Sequence, residues 1–279
     1  MSGPLGSNVM MQPAAAGSSA FYDYQIQRSL RFDYADASYT TFTPSSDGDR
    51  KHFTWSLWVK WANTENLVSG VGYISTAYGT SGGSNNWNMG LVDQSGYPAA
   101  LSYQHYYALN THIQMRDSTA WYHIVTSYDL DNGTNADRMK IYVNGYGPFT
   151  GGFQSDQRNL MNANSNFSTN GTPMHLGRYR PSSGYMDGHI AEVHFLDGYV
   201  YDASYFGTRK NGVWIPKDYK TDTGNYGTNG FYLQFLQSGT SQNSSGIGAD
   251  TSGNDNHHAL NGIGADHISL DTPTNGVGG

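Results

Sequence analysis

The sequence has 279 residues, of which 35 are Gly and 22 are Tyr, while only 13% are charged. This composition is typical of many short strands and turns and is poor in residues that helices prefer, so we expect one large all-β domain with little helix. The formal charge of −7, with 15 scattered basic residues, argues against a nucleic-acid partner, since binding to phosphates depends on clustered Lys and Arg.

The sequence contains no Cys, and no stretch has the roughly 18 apolar residues that a membrane helix needs. The N-terminus lacks a basic-then-apolar signal sequence. We therefore expect no disulfides and no membrane partner, in a protein that folds in a reducing cell interior or gains stability by assembling with copies of itself.

The first 20 residues are uncharged and show no hydrophobic period, which predicts an extended N-terminal arm. One interpretation is an arm that anchors the chain on a neighbouring molecule, and the other is a tail without a partner. Residues 21–236 are expected to form a β-sandwich. Whether residues 237–279 complete that sandwich stays open.

Alternating side chains predict strands along most of the domain. The strongest signal is a hairpin over 121–145, in which two alternating runs flank an Asp, Asn and Gly turn, so that one face is buried and other strands must cover it. In segment 53–61, aromatic and aliphatic residues likewise occupy every second position. Further strands are predicted at 29–32, 39–42, 72–76, 87–92, 99–103, 111–115, 173–178 and 188–195, with a long polar loop at 151–171.

Six sequence blocks occur in an order that is more specific than any one of them. They are SLRF (29–32), FTWSLWVK (53–60), AWYHIVTSYD (120–129), KIYVNG (140–145), HLGR (175–178) and DGHIAEVHFLDG (187–198). In this order the chain resembles the laminin-G-like and pentraxin-like branch of the concanavalin-A-like jelly rolls. The resemblance implies an antiparallel β-sandwich.

Later blocks extend this likeness: YDASYFG (201–207), GVWIPKDY (212–219), YGTNGFYLQF (226–235) and DTPTNG (271–276). Together they resemble a version of the domain that is common in structural proteins of tailed bacteriophages, on the tail or the capsid surface. The resemblance implies a virion protein that adheres rather than catalyses. It also implies a homotrimer, contacts of the arm with other virion proteins, and host surface glycans as partners.

The C-terminal blocks 231–235, 250–254 and 258–260 are similar to a segment that usually precedes the SLRF-like strand in this fold, whereas here they follow it. Chain termini often lie close together in domains. We therefore expect a circularly permuted arrangement in which C-terminal residues supply strands beside 29–32. A loosely attached tail is the alternative.

Glucanases on the same fold hold two carboxylates around one glycosidic bond. This sequence has only two glutamates, Glu65 and Glu192, far apart, and most of its Asp residues lie in turn-like contexts. No nucleophile elbow or Cys–His couple is present either. We therefore expect no enzymatic activity and a structural role for Glu192.

A calcium site is one hypothesis, because Ca²⁺ takes oxygen ligands from such loops. Asp and Asn are common in hairpin turns without any metal, which is the alternative. The candidate ligands within the hairpin loop are Asp129, Asp131, Asn135 and Asp137.

Glycan recognition would use aromatic rings against sugar faces and polar side chains on hydroxyls. The same residues in loops could instead form subunit contacts, since aromatics are enriched at protein interfaces. Two functions therefore stay open. One is a virion structural protein that presents a lectin-like domain for host-surface adhesion or particle stabilisation, and the other is a free carbohydrate-binding lectin module. The candidate contacts are Trp87, Tyr103, His105, Tyr106, Tyr107, Tyr179, Arg180 and Tyr185.

Overall fold

The computed structural model describes residues 21–62, 72–77, 87–94, 96–105, 107–149, 151–161, 167–180 and 183–275. The predicted arm, residues 1–20, lies outside this part of the chain. The described residues form nineteen strands, four 3₁₀ turns and one four-residue helix, α1 (Tyr219–Asp222). The strands are β1 (Ser29–Phe32), β2 (Tyr39–Phe42), β3 (His52–Trp61), β4 (Tyr73–Ala77), β5 (Trp87–Gln94), β6 (Tyr97–His105), β7 (Tyr107–Gln114), β8 (Tyr122–Asp129), β9 (Met139–Val143), β10 (Phe153–Asp156), β11 (Met174–Leu176), β12 (Arg178–Arg180), β13 (Ser183–Tyr185), β14 (Gly188–Asp197), β15 (Gly207–Lys210), β16 (Val213–Pro216), β17 (Phe231–Leu233), β18 (Ala259–Asn261) and β19 (Ile268–Ser269).

The strands pair in antiparallel fashion and build two large sheets. The seven-stranded sheet has the order β19-β1-β14-β3-β8-β9, with β17 also paired to β14. The eight-stranded sheet has the order β10-β7-β6-β5-β4-β11-β2-β18, and two small hairpins, β12–β13 and β15–β16, complete the set. The prediction of an antiparallel β-sandwich is confirmed.

The main core lies between the two large sheets. Trp55 of β3 stacks on Trp87 of β5 with ring centroids 5.5 Å apart, and Phe53 stacks on Tyr128 at 4.2 Å. All four side chains are at most 1% exposed. Burial of each large apolar side chain contributes on the order of 2 kcal/mol, so this aromatic layer holds the sheets together.

The outer face of the seven-stranded sheet is also buried, which corrects the expectation of a single buried face. Thr54 and Trp58 on the outward side of β3 are at most 5% exposed. The chain after β14 folds back over this face, where Phe206 and Tyr219 belong to a second apolar cluster with Val125 of β8. A period of two therefore identifies the inner face but does not show that the other face is solvated.

Residues after 230 add strands to both large sheets. β17 pairs with β14, β18 pairs with β2, and β19 pairs with β1, where Ser29 lies opposite Ser269. Phe231 and Phe235 are at most 1% exposed and belong to the main core. The C-terminal segment therefore packs on the sandwich.

The segment 151–171, predicted as a polar loop, contributes to the fold through β10 and through buried residues that include Phe167 and Arg158. Phe167 is fully buried, 4.5 Å from the Trp87 ring. Arg158 is 3% exposed, and its guanidinium donates to both carboxylate oxygens of Asp156 at 2.9 and 2.7 Å. Isolated residues of this kind have no period, so the sequence pattern does not reveal them.

Candidate functional site

Two residues predicted to contact glycans belong to the core instead. Trp87 and Tyr103 are fully buried, and the Tyr103 hydroxyl accepts a hydrogen bond from Thr126 Oγ1 at 2.9 Å. Neither ring has a free face for a sugar, so the prediction is wrong for these two residues. Trp87 alternates with Met89 and Leu91, all with buried side chains, and this period was the signal that pointed to the core.

Two of the predicted tyrosines lie together on the β12–β13 hairpin beside the eight-stranded sheet. The Tyr179 ring stacks on Tyr73 at 4.1 Å, and the Tyr185 ring lies 6.3 Å from Tyr39. Both residues are half-buried, and their role in glycan or subunit contacts stays a prediction. Tyr106, and the side chains of His105, Tyr107 and Arg180, lie outside the described part of the structure.

The four candidate calcium ligands are spread along the β8–β9 loop, where most of them already have partners. Asp131 pairs with Lys51 at 2.7 Å, Asp129 accepts from Asn132 Nδ2 at 3.0 Å, Asp137 lies 3.3 Å from Lys140 Nζ, and Asn135 begins a 3₁₀ turn. Among the described residues, no three or more His, Asp or Glu side chains are grouped so that they could hold a metal ion. Calcium binding stays a prediction to which this geometry adds no support.

An open groove that the sequence did not reveal begins at the β15–β16 hairpin and continues to the outward side of β3 in the seven-stranded sheet. It consists of three adjoining chambers of about 490, 360 and 630 Å³. The first and middle chambers share Arg209 and Trp214, and the middle and third share Trp121 and Pro273. We call this feature the aromatic groove. The middle chamber is also lined by Tyr22, Trp58, Asn144 and Tyr146.

Two glycines and a buried histidine fix Trp214 of β16 in the groove. A Cβ atom at Gly145 or Gly207 would lie only 2.2 or 2.4 Å from the indole ring, so the ring occupies space that only glycine leaves. The Trp214 indole N–H donates to Nδ1 of His123 at 2.9 Å. With Nδ1 accepting, the neutral imidazole carries its proton on Nε2, which donates to Ser56 Oγ at 2.9 Å.

Burial keeps this histidine neutral. His123 is 1% exposed, and desolvation, with a smaller contribution from the nearby His194, lowers its pKa to about 3. Nδ1 therefore remains an acceptor for the Trp214 indole throughout the neutral and mildly acidic range. The buried His123 therefore sets the orientation of the Trp214 ring.

Tyr146 and Arg209 form the exposed wall of the middle chamber. Tyr146 is 62% exposed, and the Arg209 guanidinium carbon lies 3.9 Å from its ring centroid. Arg209 also donates to the backbone carbonyls of Asn144 at 2.9 Å and Gly212 at 3.2 Å. A cation over an aromatic ring at such a site contributes about 0.5–1 kcal/mol, which holds the tyrosine ring in place.

Trp121 separates the middle chamber from the third. Its indole N–H donates to Asp271 Oδ1 at 3.0 Å, and Lys60 forms an ion pair with the same carboxylate. Burial raises the pKa of Asp271, but the bonds from Lys60 and Trp121 outweigh this effect and hold the pKa below its usual value. The third chamber thus offers an indole ring beside a charge pair.

Glu192 lies beneath the N-terminal segment and takes the structural position expected for it. It sits at a bulge in β14 with φ of 52° and is 5% exposed. Its Oε1 accepts from the Tyr24 hydroxyl at 2.6 Å and also from the Tyr232 hydroxyl. The other glutamate, Glu65, lies outside the described residues.

The sequence matches a laminin G family model described as the concanavalin A-like lectin/glucanases superfamily, over residues 34–203. This range covers more than half of the chain and includes both strands of the central hairpin. The protein belongs to this superfamily. No curated protein matches the sequence significantly.

Solved structures share the fold at low sequence identity. A protein from Bacteroides ovatus for which carbohydrate binding is proposed has a TM-score of 0.55 and 15% identity, over 90% of this chain and 62% of that one. This chain therefore spans less than two thirds of that relative's length. A heptameric SAP-like pentraxin from Limulus polyphemus has a TM-score of 0.45 and 14% identity, over 70% of this chain and 94% of that one. Tailspike protein 2 of bacteriophage CBA120 has a TM-score of 0.35 and 10% identity, over 64% and 26%.

Across the described ranges, the structure holds no helix with the length and apolar character required to cross a bilayer.

Proposed function

We propose that this protein binds carbohydrate and that the glycan lies in the aromatic groove. The observation that carries the proposal is the arrangement of Trp121, Tyr146 and Trp214 along one open groove, each ring held by a polar or charged partner. Sugar rings present apolar faces to aromatic side chains and hydroxyls to polar ones. A site that combines both kinds of group suits such a ligand.

The rings are held in place before any ligand arrives. Trp214 is fixed by His123 and Trp121 by Asp271, so little side-chain freedom is lost when a sugar stacks on them. Preorganisation of this kind lowers the entropic cost of binding. The proposal assigns a binding role and no catalytic one, in line with the engagement of Glu192 by two tyrosines.

We further propose that the lectin-like domain is displayed on a bacteriophage virion, in a tail fibre or a capsid-surface fibre or decoration. The support is the resemblance of the blocks 201–207, 212–219 and 226–235 to domains of phage structural proteins. Residues 1–20 would then anchor a homotrimer to other virion proteins, after assembly in the cytoplasm of the bacterial host. Light scattering on the purified protein tests the oligomer, since a monomer that binds glycan favours a free lectin module.

A glycan array probed with the wild-type protein and two variants tests the binding role. Tyr146→Ala removes an exposed ring from the groove and should weaken binding by about 1–2 kcal/mol, roughly five- to thirtyfold. Tyr34→Ala is the comparison variant, because Tyr34 is 52% exposed in the β1–β2 turn and its ring lies 6.4 Å from that of Tyr185, the other candidate glycan contact. Equal binding by both variants would refute the groove as the site, and the absence of any bound glycan would refute the proposed function.

A further inference from the structure

Resting on the proposed function, we propose that the aromatic groove binds a linear polysaccharide along its chain, through three consecutive sugar subsites, rather than a single terminal sugar. The three chambers adjoin in one row, because Trp214 and Arg209 border both the first and the middle chamber, while Trp121 and Pro273 border both the middle and the third.

Each chamber is an open cleft rather than an enclosed cavity, and each has a volume within the range of single ligand pockets. A site for a terminal sugar would enclose that sugar on most of its surface. A row of open clefts instead lets a chain enter at one end and leave at the other.

The first and third chambers, at the two ends of the groove, differ in the chemistry of their lining residues. The first chamber is lined by three carboxylates, those of Asp23, Asp218 and Asp222, and by the cations Lys217 and Arg209, so it offers charged groups of both signs to sugar hydroxyls. The third chamber offers the Trp121 ring beside the Lys60–Asp271 pair. This difference gives the groove a direction, and a polysaccharide, which has distinct reducing and non-reducing ends, should bind in one orientation.

Trp214 and Trp121 stand at the two boundaries between chambers, and their indole N–H groups are bonded to His123 and to Asp271. Because both rings are fixed, neighbouring subsites keep a constant separation. Sugars joined in one chain then bind with the advantage of linked ligands, since the second and third units arrive at high effective concentration.

The test is the dependence of affinity on chain length, measured by calorimetry with chito-oligosaccharides and laminari-oligosaccharides of one to six units. Where the array identifies a different polysaccharide, fragments of one to six units from that polysaccharide are used as well. We expect the affinity to rise by roughly tenfold for each added unit up to at least the trisaccharide. A constant affinity from the monosaccharide to the hexasaccharide would overturn the three-subsite inference and leave the proposed function intact.

Two variants that fill the end chambers locate the extra affinity. Thr208 and Thr119 are exposed residues that line the first and third chambers, so Thr208→Trp and Thr119→Trp should each block one subsite without disturbing the core. Each variant should bind the trisaccharide about as weakly as the wild type binds the disaccharide. Thr134→Trp, in the loop at the far end of β8, is the control and should behave like the wild type.

The possible results of these measurements distinguish the three-subsite inference from the proposed carbohydrate-binding function. Loss of the length dependence in both blocked variants supports three subsites. Length dependence that neither variant reduces, although Tyr146→Ala weakens all oligosaccharides, would show that the end chambers take no part and would overturn the inference alone. Failure of every array glycan and oligosaccharide to bind would overturn the inference together with the proposed function.

Discussion

The buried His123 should make the folded protein sensitive to acid. Its pKa lies at about 3 in the folded state, against about 6.5 in an unfolded chain. Below pH 6.5 the unfolded chain therefore takes up a proton that the folded protein excludes. The stability contribution is fully present above pH 6.5 and is lost progressively as the pH falls towards 3.

The size of this effect follows from linkage. One proton difference changes the free energy of unfolding by about 1.4 kcal/mol per pH unit once the pH is well below 6.5. Protonation of His123 in the unfolded chain should therefore lower the free energy of unfolding by about 2 kcal/mol between pH 7 and pH 5. His175 and His258 have pKa values lowered to about 3, chiefly by burial as well. Together the three histidines should lower the free energy of unfolding by about 6 kcal/mol between pH 7 and pH 5, which is comparable to the whole stability of a typical domain.

The variant His123→Asn isolates one of these contributions. Urea unfolding at pH 7, 6 and 5 should show a lower stability at pH 7, because the packing and hydrogen bonds change. The free energy of unfolding should also depend less steeply on pH, by about 1 kcal/mol per unit on average over this range. Ser56→Ala serves as the control, since it removes the bond to Nε2 and leaves the imidazole buried. Equal slopes for the wild type and His123→Asn would refute the reasoning.

Two further predictions concern the support of the groove. Tyr24→Phe removes the hydroxyl that donates to Glu192, so urea unfolding should show a free energy of unfolding that is lower by about 1–3 kcal/mol. Tyr22→Phe on the same segment is the control and should change this free energy little. Equal losses in the two variants would contradict the anchoring of the segment through Tyr24. Gly145→Ala places a methyl group 2.2 Å from the Trp214 ring at a φ of 71°, and it should lower stability by about 1–3 kcal/mol, shift the tryptophan emission and weaken glycan binding. Wild-type tryptophan emission and wild-type glycan affinity in Gly145→Ala would contradict the proposed position of the Trp214 indole.

The sandwich could be predicted because its strands carry a local signal. In β3, Phe53 and the alternate residues that follow it are buried between the sheets, and the same period of two marks β8 and β9. Strand β1 agrees with the predicted range 29–32 without adjustment. Such alternation follows from the geometry of a single strand, so it can be read without knowledge of its neighbours.

The groove could not be predicted because no local pattern encodes it. Trp58, Trp121 and Trp214 come from three distant segments, and they line one surface only because the β15–β16 hairpin folds over the seven-stranded sheet. The composition of the residues that flank Trp87 led to a wrong prediction, although its alternation with Met89 and Leu91 indicated the core. The adjoining Asn and Gly residues resemble a loop, yet Trp87 is a core residue stacked on Trp55, because tertiary packing and not the flanking composition decides its environment.

The most direct test of the central claim follows the indole N–H signals of the six tryptophans by two-dimensional NMR during titration with a glycan that binds on the array. The account predicts that the signals of Trp121 and Trp214 move, because their rings line the groove, while those of Trp55 and Trp87 stay fixed in the core. Saturable binding that leaves the Trp121 and Trp214 signals unchanged would contradict the account.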